Sequence, residues 1–287
     1  MQCHKTLSLF LTLGLIISSC AQKNEVIIKT HQLTETIFML EGRGGNIGIS
    51  IGRDGVFMID SQFAPLIPKI HDAIKALSDK PISFLANTHH HGDHTGGNEN
   101  ISNLGANIIA HDNVYNRIKN NAKQGNNALP TITFNDKLSL YINGEQVMAI
   151  HFDNAHTDGD IMLYFTESNV LHTGDVFFHN RYPYIDLNSG GSIDGYIGAV
   201  KKILMLIDEE TKIIPGHGNI SNKKEYLTFL TMLQDLRGKV LTEIKKGKTE
   251  DEVAADTSLS KTYDDLGYSW GFINSEKFRR TVYKSLN

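Results

Sequence analysis

Residues 88–94 carry an unusual density of metal-binding side chains. Six consecutive positions contain four imidazoles and one carboxylate, which are His89, His90, His91, Asp93 and His94. Hydrophobic packing gives no reason for such a run, because each buried imidazole would need a polar partner. Neutral imidazole nitrogens and carboxylate oxygens are the ligands that Zn²⁺ and similar cations prefer. The run therefore predicts a divalent metal site, and the alternative interpretation is a histidine patch on the surface.

Three later residues of the same ligand types occupy the same kind of position. His156, Asp175 and His217 each follow a predicted strand, in segments rich in glycine and small polar residues. Taken singly, each has an ordinary alternative, a turn aspartate or a histidine satisfied by the backbone. Together they predict that several loops converge on one edge of a sheet, where binding sites commonly lie. Asp60 also follows a predicted strand, and it either supports this site or caps the next turn.

The strands that must position these residues can be recognised from apolar runs. Buried strands are predicted immediately before the histidine-rich run and after it, over residues 82–87 and 107–110. The pair Asn143-Gly144 between two alternating runs is typical of a two-residue hairpin. Residues 45–60 and 159–175 share the order strand, turn, strand, acidic residue. This weak internal repeat predicts two related halves of the fold with the site between them. The alternative is that the two segments share this order by chance.

Apolar residues at helical spacing predict several helices. They span residues 66–77, 193–207 and much of 223–244, and residues 251–287 are expected to add further helix. Asp112 is predicted to cap a helix that begins at the next residue.

The seven ligand positions resemble the metal-binding pattern of the metallo-β-lactamase superfamily, and they are His89, His91, Asp93, His94, His156, Asp175 and His217. The resemblance runs from about residue 37 to about residue 220. It implies the α/β (α+β) class, as a four-layer αββα sandwich with pseudo-two-fold halves and a dinuclear metal site at one edge. We expect this domain to span residues 31–222, with residues 223–287 as a helical extension packed on it.

The resemblance also implies a role for each of these residues. Two zinc ions would bind per chain, the first of them held by His89, His91 and His156. The second would be held by Asp93, His94 and His217. Asp175 would bridge both ions, Asp93 would also serve catalysis by orienting the nucleophile, and Asp60 would hold a ligand imidazole from behind.

This arrangement implies hydrolysis, in which a metal-bound hydroxide attacks the carbonyl of a cyclic amide or ester, a β-lactam or lactone. One alternative is a thioesterase like glyoxalase II, because glyoxalase-like hydrolases carry Asp at the position of Asp175, where many β-lactamases carry Cys or Ser. The best-known β-lactamases also have a lysine three residues later, where this chain has Phe178. Arg181 could replace that lysine electrostatically, or it could be a surface arginine.

Tyr182 and Tyr184 are expected to overhang the site, and the strand near Arg43 is another candidate substrate-binding segment.

The other alternative is an iron-dependent oxidoreductase, such as a persulfide dioxygenase or a flavodiiron-type reductase. His91 stands where the flavodiiron pattern has Glu, and a complete ligand set for two metals argues against a mononuclear dioxygenase. Metal analysis would discriminate between zinc and iron.

Composition restricts the class of partner. The chain has 287 residues, 21% of them charged, with a formal net charge of -4. Without a basic stripe, nucleic acid is excluded as the expected partner, and a small molecule is expected instead.

The N-terminus predicts export. Residues 1–19 resemble a lipoprotein signal peptide, since Lys5 precedes an apolar run over residues 7–17 that is shorter than a membrane span. Small residues before Cys20 resemble a lipobox, so Cys20 would carry lipid and residues 20–30 would form a tether. The alternative is an ordinary signal peptide with an incidental cysteine. We therefore expect a protein of the bacterial cell envelope, anchored to a membrane through Cys20, whose metal ligands include no thiolate.

Overall fold

The structure is a computed structural model that describes residues 25–121 and 125–287. The predicted signal peptide, Cys20 and the first part of the tether lie outside the described residues, so the expectations about them stay predictions. Within the described ranges, no helix has the length and apolar character of a membrane-spanning segment.

Seven strands form the first sheet in chain order: β1 (Lys29–Gln32), β2 (Ile37–Glu41), β3 (Ile47–Gly52), β4 (Gly55–Ile59), β5 (Ile82–Ala86), β6 (Asn107–His111) and β7 (Ile132–Phe134). Strands β1 to β4 pair antiparallel, and β4 to β7 pair parallel. The parallel strands direct their carboxyl ends to a single edge of the sheet, which is where β5 leads into the histidine-rich run.

Six strands form the second sheet in the order β13-β12-β11-β10-β9-β8: β8 (Lys137–Ile142), β9 (Glu145–His151), β10 (Ile161–Phe165), β11 (Val170–His172), β12 (Lys212–Ile214) and β13 (Ser221–Asn222). Only β11 and β12 pair parallel within it. The predicted hairpin joins β8 to β9, and it is confirmed because Asn143 and Gly144 have φ of 54° and 90°. Positive φ at both turn residues gives a twist that matches the flanking strands.

Nine helices occur in the described ranges: α1 (Ile67–Lys75), α2 (Gly92–Thr95), α3 (Asn98–Asn103), α4 (Asp112–Lys119), α5 (Ile193–Leu206), α6 (Lys223–Lys245), α7 (Glu250–Ala255), α8 (Lys261–Asp264) and α9 (Ser275–Leu286). The predicted cap of α4 is wrong by one residue. His111 precedes the helix, and its Nδ1 accepts a hydrogen bond from the backbone N–H of Asn113 at 3.1 Å. Asp112 is instead the first helical residue, where its carboxylate still complements the helix dipole.

The two sheets pack face to face, with helices on both outer surfaces. Along β4, Phe57 and Ile59 point into the cluster between the sheets, whereas Val56 and Met58 pack on the outer face with Ile70 of α1. This alternation is the period of two that a pleated strand imposes. The layer order helix, sheet, sheet, helix confirms the predicted four-layer αββα architecture.

The helices of the C-terminal part complete the second outer layer. Leu171 of β11 and Ile213 of β12 share one buried cluster with Ile197 of α5, Leu233 of α6 and Phe278 of α9. The last helix is therefore part of the same hydrophobic core as the second sheet.

Candidate metal centre

Loops from both sheets meet at one edge of the sandwich. His89 follows β5, Asp175 follows β11 and His217 follows β12, so three ligand candidates lie just beyond strand carboxyl ends. His156 precedes β10, which runs antiparallel to β11 and therefore begins at the same edge. The structure brings all seven predicted ligands together in two groups, the first formed by His89, His91, His156 and Asp175, the second by Asp93, His94 and His217.

Three imidazole nitrogens of the first group point at a common centre. His91 Nδ1 lies 3.1 Å from His89 Nε2 and 2.9 Å from His156 Nε2. The opposite ring nitrogens have acceptors, because His91 Nε2 lies 3.0 Å from Asp186 Oδ2 and His156 Nδ1 lies 2.8 Å from the carbonyl oxygen of Tyr184. Donation to these acceptors leaves the inner lone pairs available, which is the tautomer a cation requires.

The second group is looser and more open. His217 Nε2 lies 3.4 Å from Asp93 Oδ2, and His94 Nε2 lies 3.7 Å from the same oxygen. His94 is fully buried, whereas Asp93 and His217 are half-buried and line the cavity above. An ion held here would therefore be reachable from solvent, which is the property of catalytic rather than structural metal sites.

Asp175 connects the two groups through its two carboxylate oxygens. Oδ2 faces the first group, 3.8 Å from His89 Nε2 and 3.5 Å from His156 Nε2. Oδ1 faces the second group, 3.2 Å from His94 Nε2 and 3.4 Å from His217 Nε2. One carboxylate in this position can contribute an oxygen to each of two cations.

Two buried polar atoms at the junction test whether metal fits. Within residues 25–121 and 125–287, His94 Nε2 and Asp175 Oδ1 are buried and have no hydrogen-bond partner, although they lie 3.2 Å apart. A buried polar atom left without a partner costs about 1–3 kcal/mol. A cation between them would satisfy both, and the nitrogen and oxygen donors suit zinc. The residues present therefore fit a divalent metal.

The protonation states of the two groups differ in the metal-free protein. Burial holds the pKa of His89 well below its usual range and lowers the pKa of His156 to about 4. Burial would also lower the pKa of His94 and His217, but the neighbouring carboxylates, above all Asp175 and Asp93, together outweigh it in both. The pKa of His94 is therefore raised well above its ordinary value, and that of His217 is raised to about 9. His89 and His156 are therefore neutral and able to bind metal at neutral pH, whereas His94 and His217 must lose a proton.

Zinc binding to the second group is therefore expected to tighten as the pH rises. Because the pKa of His217 is about 9, its proton competes with the metal at pH 7 and is lost by itself above pH 9. The dissociation constant of the second ion should fall about tenfold per pH unit for each displaced proton across this window. The first ion should show no such dependence there, since the pKa of His156 is about 4. Titration with chelator-buffered zinc at several pH values measures both constants, and a second ion whose affinity does not change with pH would contradict this assignment.

Asp60 supports the centre from behind. It is fully buried with φ of 62°, and its Oδ2 lies 2.7 Å from His94 Nδ1. The same carboxylate accepts hydrogen bonds from the backbone N–H of Thr88 at 2.8 Å and from the Thr88 hydroxyl at 2.7 Å. Asp60 thus fixes both the ring of one ligand and the start of the histidine-rich run.

Asp60→Asn should weaken zinc binding by about 10–100-fold, because the amide removes the negative charge that orients and polarises His94. Asn tolerates the left-handed backbone that Asp60 adopts, so the variant should fold. Asp54→Asn, which changes an exposed turn carboxylate, is the matched control. Competition with a chromophoric chelator measures the zinc affinity. Equal zinc affinities of the two variants would show that Asp60 does not support metal binding.

Sequence reasoning did not identify Asp186. Its Oδ2 accepts from His91, while its Oδ1 accepts from the backbone N–H groups of Asn188 and Ser189 and caps the short helical turn Leu187–Ser189. An aspartate shortly before Asn188 and Ser189 is a recognisable turn signal. Nothing in the local sequence links it to His91, which lies 95 positions away.

His90 is not part of the two ligand groups, and its Nε2 lies 3.4 Å from the hydroxyl of Ser189.

A cavity of about 1050 Å³ opens above the two groups. Arg43, Arg181 and Tyr184 line it, as expected for substrate-binding segments. The expectation for Tyr182 is wrong, because this ring is fully buried and its hydroxyl donates to Asp264 Oδ1 at 2.7 Å. The cavity is also lined by two residues that the sequence analysis did not select, Trp270 and Phe272. Trp270 could have drawn attention as the only tryptophan of the chain.

The comparison with protein families agrees with this geometry. The family model of the metallo-beta-lactamase superfamily matches residues 40–217. The chain belongs to this superfamily. All seven ligand candidates lie within the matched range, so the predicted resemblance is confirmed.

Curated relatives of this superfamily member have more than one activity in their names. A hydroxyacylglutathione hydrolase from Pelagibacter ubique is 31% identical over 150 residues, which cover 50% of this chain and 56% of the relative. The chain thus spans little more than half the length of that relative. A metallo-beta-lactamase type 2 from Bacteroides fragilis is 22% identical over 234 residues, covering 75% of this chain and 90% of the relative.

Solved structures show the same fold for this superfamily member. A metallo-beta-lactamase from Pontibacter korlensis has a TM-score of 0.64 at 16% identity, covering 72% of this chain and 99% of that chain. The sec-alkylsulfatase Pisa1 from Pseudomonas sp. has a TM-score of 0.68 at 18% identity, covering 90% of this chain and 50% of that one. At these identities the similarity establishes the fold and not the substrate.

Proposed function

We propose that the protein is a dinuclear zinc-dependent hydrolase that opens a cyclic amide or ester, a β-lactam or lactone. The observation that carries this proposal is the position of Asp175, whose two carboxylate oxygens each face one of the two ligand groups. An ion in one group alone would leave the oxygen that faces the other group without a cation.

Bound zinc would supply a hydroxide nucleophile at neutral pH and polarise the carbonyl that is attacked. The chain's own groups would orient the reactants. Asp93 lines the cavity with its Oδ2 3.4 Å from His217 Nε2, so it would help to hold the second ion and orient the nucleophile there. Arg43 and Arg181 also line the cavity, and neither has a carboxylate partner among the residues that the structure describes, so they can attract an anionic substrate.

A thioester is the second candidate substrate. The observation that favours it is the same residue, since glyoxalase-like hydrolases of this superfamily carry Asp at the position of Asp175. The identity to a hydroxyacylglutathione hydrolase also supports it. An iron-loaded oxidoreductase is the third possibility, and about two zinc ions per chain, rather than one iron, would argue against it.

A substrate panel tests the proposed reaction. Purified, zinc-loaded protein would be incubated with nitrocefin, a carbapenem, an acyl-homoserine lactone and S-lactoylglutathione. Turnover of the β-lactams or the lactone is the expected result. Turnover of S-lactoylglutathione alone would contradict the cyclic amide or ester and favour the thioester as substrate. Turnover of none of the four compounds would contradict both proposed substrate classes.

We also propose that the protein is anchored in the bacterial cell envelope through lipid on Cys20, on the basis of the lipobox-like sequence before it. Cys20→Ser should move the protein from the membrane fraction to the soluble fraction, because the lipid-bearing thiol is lost. Cys3→Ser, in the same signal segment, is the matched control. Fractionation followed by immunoblotting measures the distribution, and a Cys20→Ser variant that stays with the membrane would refute the anchor.

A further inference from the structure

Four aromatic side chains line one side of the cavity next to the second ligand group, and we call them the aromatic wall: Phe178, Tyr184, Trp270 and Phe272. The ring of Phe178 stacks on the ligand candidate His217 with 5.0 Å between centroids. Trp270 lies 6.0 Å from Phe178, and Phe272 lies 5.7 Å from Trp270 and 5.2 Å from Tyr184. The ring contacts therefore run from the candidate ligand His217, through the buried Phe178, to the partly exposed Trp270 and the exposed Phe272.

The outer half of this wall comes from the segment between α8 and α9. Trp270 and Phe272 both lie beyond residue 217, where the match to the superfamily ends. The C-terminal part of this chain thus contributes Trp270 and Phe272, whereas Phe178 belongs to the segment that follows Asp175.

Hydrogen bonds hold this segment in place. The indole Nε1 of Trp270 donates to the carbonyl oxygen of Tyr182 at 2.9 Å, and the backbone N–H of Trp270 donates to the carbonyl oxygen of Ile273 at 3.0 Å. The backbone N–H of Tyr182 in turn donates to the carbonyl oxygen of Tyr268 at 3.0 Å. An aromatic surface that is already ordered loses little conformational entropy when a ligand binds to it.

Part of the aromatic wall is exposed to solvent, so a ligand in the cavity could contact it. Phe272 is 53% exposed although it lines a cavity, and folding alone gives no reason to place a large aromatic residue there. Cations border the surface, with the Lys277 ammonium 4.1 Å from the Phe272 ring centroid and the Arg181 guanidinium carbon 5.4 Å from a Trp270 ring centroid. The chemistry suits a ligand with an apolar body and a negative charge.

We propose that Trp270 and Phe272 bind an apolar side group of the substrate, and so select carbonyl compounds that carry an aromatic or extended alkyl group together with a carboxylate. This inference rests on the proposed function, because a bound substrate would lie along the wall with its carbonyl at the metal ligands. Compact substrates of the same reaction type would gain nothing from the wall.

The intrinsic fluorescence of the protein gives a direct test, since Trp270 is the only tryptophan of the chain. The zinc-loaded full chain would be titrated with phenylacetate, hexanoate and acetate. We expect saturable fluorescence changes with the first two, at dissociation constants at least about tenfold below that of acetate. Phe272→Ala should weaken phenylacetate binding about tenfold and leave acetate binding unchanged. Tyr141→Ala, which removes an aromatic ring that is 80% exposed on β8, is the matched control and should bind as the wild type does.

Two results would overturn the inference. One is equal affinity of the wild type for acetate and phenylacetate, and the other is unchanged phenylacetate affinity in a folded Phe272→Ala variant. The titration needs no turnover, so it separates the two proposals. Selective binding of phenylacetate without hydrolysis of any panel substrate would refute the proposed reaction and support the wall as a binding surface.

Discussion

Complete removal of metal is expected to abolish hydrolysis. Without a cation, the water that attacks the carbonyl keeps its ordinary pKa and the developing negative charge has no counter-charge, so the rate should fall on the order of 10⁴-fold or more. The described residues that line the cavity include no serine, threonine or cysteine, so none of these nucleophiles is available there. The measurement is the rate on a turned-over panel substrate before and after dialysis against a strong zinc chelator.

Metal restoration provides the control for this prediction. Added zinc should recover the activity of the chelated protein, whereas calcium should not, since calcium requires six to eight oxygen ligands and the site is built mainly of imidazoles. Circular dichroism would show that the chelated protein remains folded. Full activity in a preparation shown by elemental analysis to be free of metal would contradict the hydrolase proposal.

Asp175→Asn is expected to cause the largest loss of any single substitution. The amide is neutral, and one of its two terminal atoms donates hydrogen bonds rather than offering a lone pair, so it can bind only one cation and binds it less tightly. We expect retention of at most one tightly bound zinc per chain and a fall of about 10³-fold in kcat/KM, which corresponds to about 4 kcal/mol.

A matched substitution separates this effect from a general loss of charge. Asp194→Asn removes an exposed carboxylate that pairs with Arg237 at the surface, and such pairs contribute little. Its zinc content and rate should equal those of the wild type. If Asp175→Asn kept both ions and the wild-type rate, Asp175 could not be the bridge between the two groups.

The ligand set could be predicted from sequence because each ligand type occurs next to a strand end. His89 follows a run of apolar residues, and the chemistry of imidazole and carboxylate identifies the site without knowledge of the fold. The convergence of these loops on one sheet edge was expected from the strands that precede them, whereas the assignment of the ligands to two ions was implied by the resemblance to the superfamily.

Other features of the site depend on contacts that no local pattern records. Asp186 lies in the loop between β11 and α5, and only the tertiary fold brings it next to His91. Trp270 and Phe272 reach the cavity from the C-terminal part because their segment packs on Tyr182. The cap of α4 is His111, whose Nδ1 faces the helix. Residue preference alone favours the neighbouring Asp112, because aspartate is a common N-cap and histidine is not.

Anomalous diffraction from crystals of the zinc-loaded protein, measured at the zinc absorption edge, tests the dinuclear centre most directly. We expect two anomalous peaks about 3.5–4 Å apart, the first among His89, His91 and His156, the second beside His94 and His217, with one oxygen of Asp175 directed to each. A single peak at full zinc loading, or peaks away from Asp175, would contradict the dinuclear centre.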